Sequence, residues 1–159
     1  MSLARSKRVG ESAEAAVIQA VPELTSVADR DAHVDAEVVT TIDPRADLPT
    51  VALPVVERGT EIEIKSCGAV VTTSQQRGRF YLRRQQHEYL LDVAGSYLFA
   101  VTPPHQSDPL AMKIVPATVV ADVLSSWIDP DGREPYAQVS WSRIFDVAEI
   151  DPDAGGESQ

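Results

Sequence analysis

The chain has 159 residues, a formal charge of −10 at pH 7 and 43% apolar residues. That length fits one domain with a real core, and the apolar content is ordinary for a globular fold. No apolar run is long enough to span a bilayer, no signal-peptide core opens the chain, and the single Cys67 excludes an internal disulfide framework and a cysteine-based zinc site.

The expectation is therefore a soluble cytoplasmic protein. Acidic residues number 24 against 14 lysines and arginines, and only Lys7, Lys65 and Lys113 are lysines. This balance resembles proteins of salt-loving archaea. An acidic protein is a poor nucleic-acid binder overall. In multimolar salt, however, the global charge is screened within about 3 Å, and local basic patches decide binding.

Residues 1–9 are polar and basic and are expected to be flexible. Residues 10–150 are expected to form the one domain. Gly10 to Val21 reads as a helix with an apolar face of Ala16, Val17, Ala20 and Val21, ended by Pro22. Glu11 and Glu14 fall in its first turn, where the helix dipole favours acids. Thr25 to Asp31 is a polar connection. His33 to Ile42 is β-prone, Asp43 to Pro49 is a turn by composition, and Val51 to Val56 is a second apolar stretch interrupted by Pro54. Gly59 supplies a tight turn.

Glu61 to Cys67 reads as a strand. Alternation puts Ile62 and Ile64 on one face and Glu61, Glu63 and Lys65 on the other. A carboxylate and an ammonium two residues apart can share one bound metal and one water. A solvated charged strand face is the plainer reading. Cys67, just beyond, reads as a buried structural thiol.

A polar loop follows, and then the basic cluster Arg77, Arg79, Arg83 and Arg84, interleaved with Phe80 and Tyr81. Arginines among aromatics suit phosphate contact and base stacking. A helix spans Arg83 to Ala94, stopped by Gly95. Its inward face draws Gln86 and His87 to the side of Leu90, Leu91 and Ala94. Tyr97 to Val101 is a continuous apolar strand of the kind found in the middle of a sheet. Ala111 to Val115 is another strand, Ala117 to Trp127 an amphipathic helix, Ala137 to Val139 a short strand, and Trp141 to Phe145 a short helical segment. Residues 151–159 read as a disordered acidic tail.

The order of helix, strand meander, Glu63-Ile64-Lys65 strand, Gln-bearing helix and buried strand resembles the PD-(D/E)xK, restriction-endonuclease-like nucleases over about residues 10 to 101. Archaeal Holliday junction resolvases belong to that superfamily. The Gln85 to Tyr89 spacing is similar to that of its RecB-like branch. The resemblance implies an α/β fold, a mixed central sheet of about four or five strands flanked by helices. It implies a Mg²⁺- or Mn²⁺-dependent nuclease acting on DNA, dimeric if it cuts two strands. Its catalytic set would be Glu14 (or Glu11), an Asp, Glu63, Lys65 and Gln86 (or Gln85). The metal would be held by the Asp, Glu63 and the Ile64 carbonyl. Arg77, Arg79, Arg83, Arg84 and His87 would contact nucleic acid. No literal Pro-Asp precedes the strand. Asp47, Asp43 and Asp35 stand 16, 20 and 28 residues before Glu63, and Asp47 has the preferred spacing. A relative that kept the fold but lost the metal site is the alternative reading.

Overall fold

The computed structural model describes residues 13–27, 34–71, 76–103 and 108–150, with the backbone alone at 71, 76 and 77. The expected flexible start, Glu11 and the acidic tail lie outside the described residues. Helix α1 includes residues 13–20 and stops ahead of Pro22, which has no amide hydrogen to extend it. Strands β1 (Leu24–Ser26), β2 (Ala36–Val38) and β3 (Glu61–Gly68) form an antiparallel meander. Two short pieces, β4 (Val70–Val71) and β5 (Gln76–Arg77), pair with each other. Then come β6 (Arg79–Arg83), α2 (Arg84–Asp92), β7 (Ser96–Thr102) and β8 (Ala111–Pro116). Helix α3 (Ala117–Val123), β9 (Tyr136–Ser140), a 3-10 turn at Trp141–Arg143 and α4 (Val147–Ile150) complete the described chain.

The main sheet has the order β1-β2-β3-β7-β8. β3 and β7 run parallel, and the other neighbours are antiparallel. The fold is thus α/β with a mixed five-stranded sheet, consistent with a restriction-endonuclease-like architecture. All seven residues of β7 are buried, because both faces of the sheet are covered. On one face, Ile62, Ile64, Leu98 and Ile114 pack with Val17 and Val21 at α1. On the other, Tyr97 and Phe99 meet Leu90 of α2, Val120 of α3 and Phe80 and Leu82 of β6. β6 reaches that layer as one strand of a two-stranded ribbon with β9. No helix among the described residues is long and apolar enough to cross a membrane.

Several elements are shorter than their sequence patterns predict. The strand expected over 33–42 is only Ala36–Val38. Beyond it the chain leaves the sheet and returns at Glu61. Along this excursion Ile42 bridges Val56, and Thr50 bridges Ile114 beside β8. Ile42, Leu48 and Val56 are buried in the α1-side core, so their apolar character serves packing rather than strand pairing. Thr25 and Ser26, expected in a connection, join Leu24 in β1. Helix α3 ends at Val123 because Leu124 is extended (φ −78°, ψ 129°). At the end of α2 it is Ala94, not Gly95, that is left-handed (φ 54°). Gly95 is required for space instead. A Cβ there would lie 2.6 Å from Leu90 Cδ2 and 2.9 Å from the Glu61 carbonyl oxygen.

Candidate active site

β3 sends its alternate side chains to different layers. Ile62 and Ile64 enter the α1-side core. Glu63 and Lys65 point the other way, toward α2 and the start of the β6–β9 layer. Glu63 is 2% exposed and Glu61 and Lys65 are half-buried, so the charged row of β3 is not a solvated face.

The β2–β3 register pairs Ala36 with Ile62 and Glu37 with Glu61. Asp35 is the residue just ahead of this pairing, and its carboxylate lies beside that of Glu63. The Asp35 amide donates to the Ile62 carbonyl (3.1 Å), and the Ile64 amide donates to Asp35 Oδ2 (2.9 Å). Lys65 Nζ lies 3.1 Å from Glu63 Oε2 and donates to Gln86 Oε1 at 2.9 Å. Gln86 is in the first turn of α2, where Glu134 receives the Gln85 amide (3.0 Å) and Pro135 the Arg84 amide (3.0 Å). The loop before β9 therefore fixes the helix start that presents Gln86. Asp35, Glu63, Lys65 and Gln86 form one connected group.

Its electrostatics follow from burial. Burial pushes the Glu63 carboxyl up to about 8; the Lys65 ammonium opposes this, and Asp35 adds to it by like charge. Glu63 Oε2 faces Lys65, while Oε1 is buried with no hydrogen-bond partner among the described residues. A buried, unpartnered carboxylate oxygen beside a second carboxylate is the donor set a hard cation satisfies. The Ile64 amide leaves β3 on the edge that faces Asp35, and the carbonyl of a strand residue leaves on the same edge as its amide. Among the described residues no three His, Cys, Asp or Glu side chains converge on a metal position. Two carboxylates and a carbonyl suit Mg²⁺, which keeps several of its waters.

The surroundings hold the group in place. Tyr97 is the register neighbour of Glu63 on β7, and its hydroxyl shares a 2.9 Å hydrogen bond with His87 Nδ1. Burial raises the Tyr97 pKa and lowers that of His87. Tyr89 donates to Glu61 Oε1 at 2.5 Å and ties α2 to the start of β3. Cys67 is pushed up to about 12 by burial, which fits a structural thiol and not a nucleophile.

Not every expected residue is brought to this group. Asp47 is on the excursion between β2 and β3. Its side chain is 79% exposed and pairs with Arg45 at 3.3 Å, and it lines a cavity with Ala16 and Ala20 of α1 and Met112 of β8. The chain at 49–51 lies beyond β8, three strand spacings or about 14 Å from β3. The structure therefore puts Asp35, not Asp47, beside Glu63. Asp43 is exposed on the same excursion. Glu14 is half-buried on α1, on the layer of Ile62 and Ile64, and does not join Asp35 and Glu63 as a third carboxylate. Gln85 is exposed, so the Gln85–Tyr89 spacing is not used as a pair; Gln86 and Tyr89 are the residues that reach β3. His87 is 3% exposed and bonded to Tyr97, which makes it a core support and not a nucleic-acid contact. Arg79, Arg83 and Arg84 are exposed, and Arg84 pairs with Glu88 at 3.2 Å. The Arg77 side chain lies outside the described residues.

Asp35 carried a signal in the sequence. It is the acid that stands immediately before the β2 run, at the start of the strand that pairs with β3. No curated protein sequence matches the chain significantly. The family model described as a PD-(D/E)XK nuclease superfamily domain matches residues 1–146, reaching well past the stretch of residues 10 to 101 over which the sequence resembles that family and taking in β8, α3 and β9. An αβββ start, a buried Glu63-Ile64-Lys65 strand with Asp35 opposite, and a parallel strand after a Gln-bearing helix agree with that match: the chain belongs to the PD-(D/E)XK nuclease superfamily.

Proposed function

We propose that the protein is a divalent-metal-dependent nuclease that hydrolyses DNA phosphodiester bonds. The observation that carries this reading is the buried Glu63 beside the half-buried Asp35, with an unpartnered Glu63 oxygen on one side and the Lys65–Gln86 pair on the other. Asp35, Glu63 and the Ile64 carbonyl would hold Mg²⁺ or Mn²⁺, and the bound ion would polarise the phosphate and acidify a water. The protein's own groups then have separate tasks. Lys65 places a positive charge where negative charge builds on the phosphoryl oxygens and holds the attacking water by hydrogen bonding. Gln86 fixes the ammonium of Lys65 so that this charge is in place before the reaction. The buried walls made by Tyr97 and Phe99 keep bulk water from weakening these interactions.

An inactive, binding-only relative would need its second carboxylate to lie away from Glu63. The Asp35 position favours the active reading. The test is cleavage of supercoiled plasmid, linear duplex, branched and single-stranded DNA with Mg²⁺, Mn²⁺ or EDTA, in low and multimolar salt. Cleavage that needs the metal and disappears in Glu63→Ala and Lys65→Ala is the expected result. Absence of cleavage with every substrate and metal overturns the assignment.

A further inference from the structure

β6 and β9 bury one row of side chains and turn the other outward. Phe80 packs on Phe99 with ring centroids 4.6 Å apart, and Leu82 is fully buried beside it. The opposite row pairs Arg79 with Ser140, Tyr81 with Gln138 and Arg83 with Tyr136. None of these six outward residues is acidic, in a chain that carries 24 acids. Arg79 and Arg83 make no ion pair among the described residues, whereas their neighbour Arg84 is held by Glu88. Tyr81 stacks on Tyr136 with centroids 4.8 Å apart and 17° between the planes. Even so, Tyr81 remains 45% exposed.

An exposed aromatic step flanked by two free guanidiniums has a defined complement. Arginine contacts phosphate, and a tyrosine face accepts a base. Arg79 and Arg83 are four strand residues apart, about 13 Å, which leaves room for the tyrosine step between two phosphate contacts. Paired bases in a duplex keep their faces stacked inside, so the ligand is an unpaired strand. The ribbon also leads to the site. Arg83 is followed directly by α2, and Gln86, three residues on, touches Lys65.

We propose that the outward face of the β6–β9 ribbon, through Arg79, Arg83 and the Tyr81–Tyr136 step, binds single-stranded DNA and leads it to the Lys65 side of the site. The preferred substrate then carries an unpaired segment beside the cleaved phosphate. The second statement rests on the nuclease reading; the binding itself does not need the metal.

The test is fluorescence anisotropy of the full chain with labelled single-stranded DNA in EDTA, across a salt series. Wild type is expected to bind single strands tighter than duplex of the same sequence. Tyr81→Leu should weaken single-strand binding about tenfold, and Tyr81→Phe, which keeps the ring, should bind as wild type does. Arg79→Gln with Arg83→Gln should flatten the slope of log K against log salt by about 1.4. Unchanged circular dichroism in these surface variants assigns the losses to binding. Binding of Tyr81→Leu within about twofold of wild type would overturn the proposal. So would duplex bound as tightly as single strands, or tighter binding of the same sequence as RNA. A protein that cleaves DNA with Mg²⁺ but binds no single strand in EDTA overturns the ribbon and leaves the nuclease reading intact. Single-strand binding with no cleavage does the reverse.

Discussion

Asp35 and Glu63 face each other across the β2–β3 pair, although 28 residues separate them in the chain. The distance along the chain is taken up by the excursion between Val39 and Thr60, which packs Ile42, Leu48 and Val56 under the sheet and reaches β8 at Thr50. What decides the partner of a strand carboxylate is the register of the neighbouring strand. The number of residues in the connection has no bearing on it.

Asp35→Asn should therefore abolish metal-dependent cleavage, with a fall of at least about 10²-fold, the scale on which one preorganised charged group is missed in a site of this kind. Asp47→Asn should cleave as wild type does, since the side chain is exposed and its contact is a surface pair with Arg45. Steady-state cleavage of one substrate by the two variants checks both. Equal losses in both would disprove the placement of the site on the β2–β3 register.

Lys65 and Gln86 should behave as a pair. Gln86→Ala removes the acceptor that fixes the Lys65 ammonium, and a hydrogen bond to a charged group contributes about 1.5–3 kcal/mol. Cleavage should slow by about ten- to a hundredfold. Lys65→Ala should eliminate it. Gln85→Ala, at an exposed position, should leave the rate unchanged. If Gln85→Ala is the slow variant and Gln86→Ala is not, the helix presents the opposite face to the site.

The sequence shows the centre of this molecule better than its margins. Buried strands leave continuous apolar runs, so Tyr97 to Val101 is readable as β7. The period-2 pattern of Ile62 and Ile64 against Glu63 and Lys65 places both charged residues of the proposed site on one face. The helical face of Gln86, His87, Leu90, Leu91 and Ala94 selects Gln86 over Gln85, although only His87 and Leu90 of that face are buried and Leu91 and Ala94 are exposed. Asp35 is harder to single out, because it stands just ahead of a strand only three residues long. The β-branched run continues past Val38, but Val39, Thr40 and Thr41 are exposed and only Ile42 packs into the core. His87 reads as a site residue because it is polar on an inward face, but its partner Tyr97 comes from a strand ten positions later. A tertiary partner of that kind leaves no local pattern. Gly95 reads as a helix stop, yet its role is close packing.

That packing role is testable. Gly95→Ala would drive a methyl into Leu90 Cδ2 at 2.6 Å and the Glu61 carbonyl at 2.9 Å. The leucine can shift, but the backbone oxygen of β3 cannot move without disturbing the strand that carries Glu63. Overpacking of this kind costs about 1–3 kcal/mol. In a chain of this size it should lower Tm by several degrees in a thermal melt. Ala94→Gly, which relieves the left-handed φ of 54°, should raise Tm slightly. A Gly95→Ala protein as stable as wild type would show that helix α2 does not sit this tightly on β3.

Glu63 ties stability, metal and pH together. Its folded-state pKa is about 8 against an ordinary value of 4.5, raised first by burial. Between those values the folded protein holds a proton that the unfolded chain has released, so stability falls as pH rises through that window. Below about 4.5 the effect is absent, and above about 8 the full penalty remains. Glu63→Gln removes the titration and should be more stable than wild type in EDTA at pH 8, by a few kcal/mol at most. At pH 4 the two should melt alike. A bound cation needs the ionised carboxylate, so Mg²⁺ should raise the Tm of wild type increasingly from pH 6 to pH 8. It should do little for the Gln variant. Cleavage should climb over the same range, with its midpoint moving to lower pH as Mg²⁺ is raised, because binding of the metal displaces the proton. Thermal melts across pH with EDTA or Mg²⁺, run beside cleavage rates, check each step. If Mg²⁺ stabilises wild type and Glu63→Gln equally, Glu63 is not a ligand of the ion.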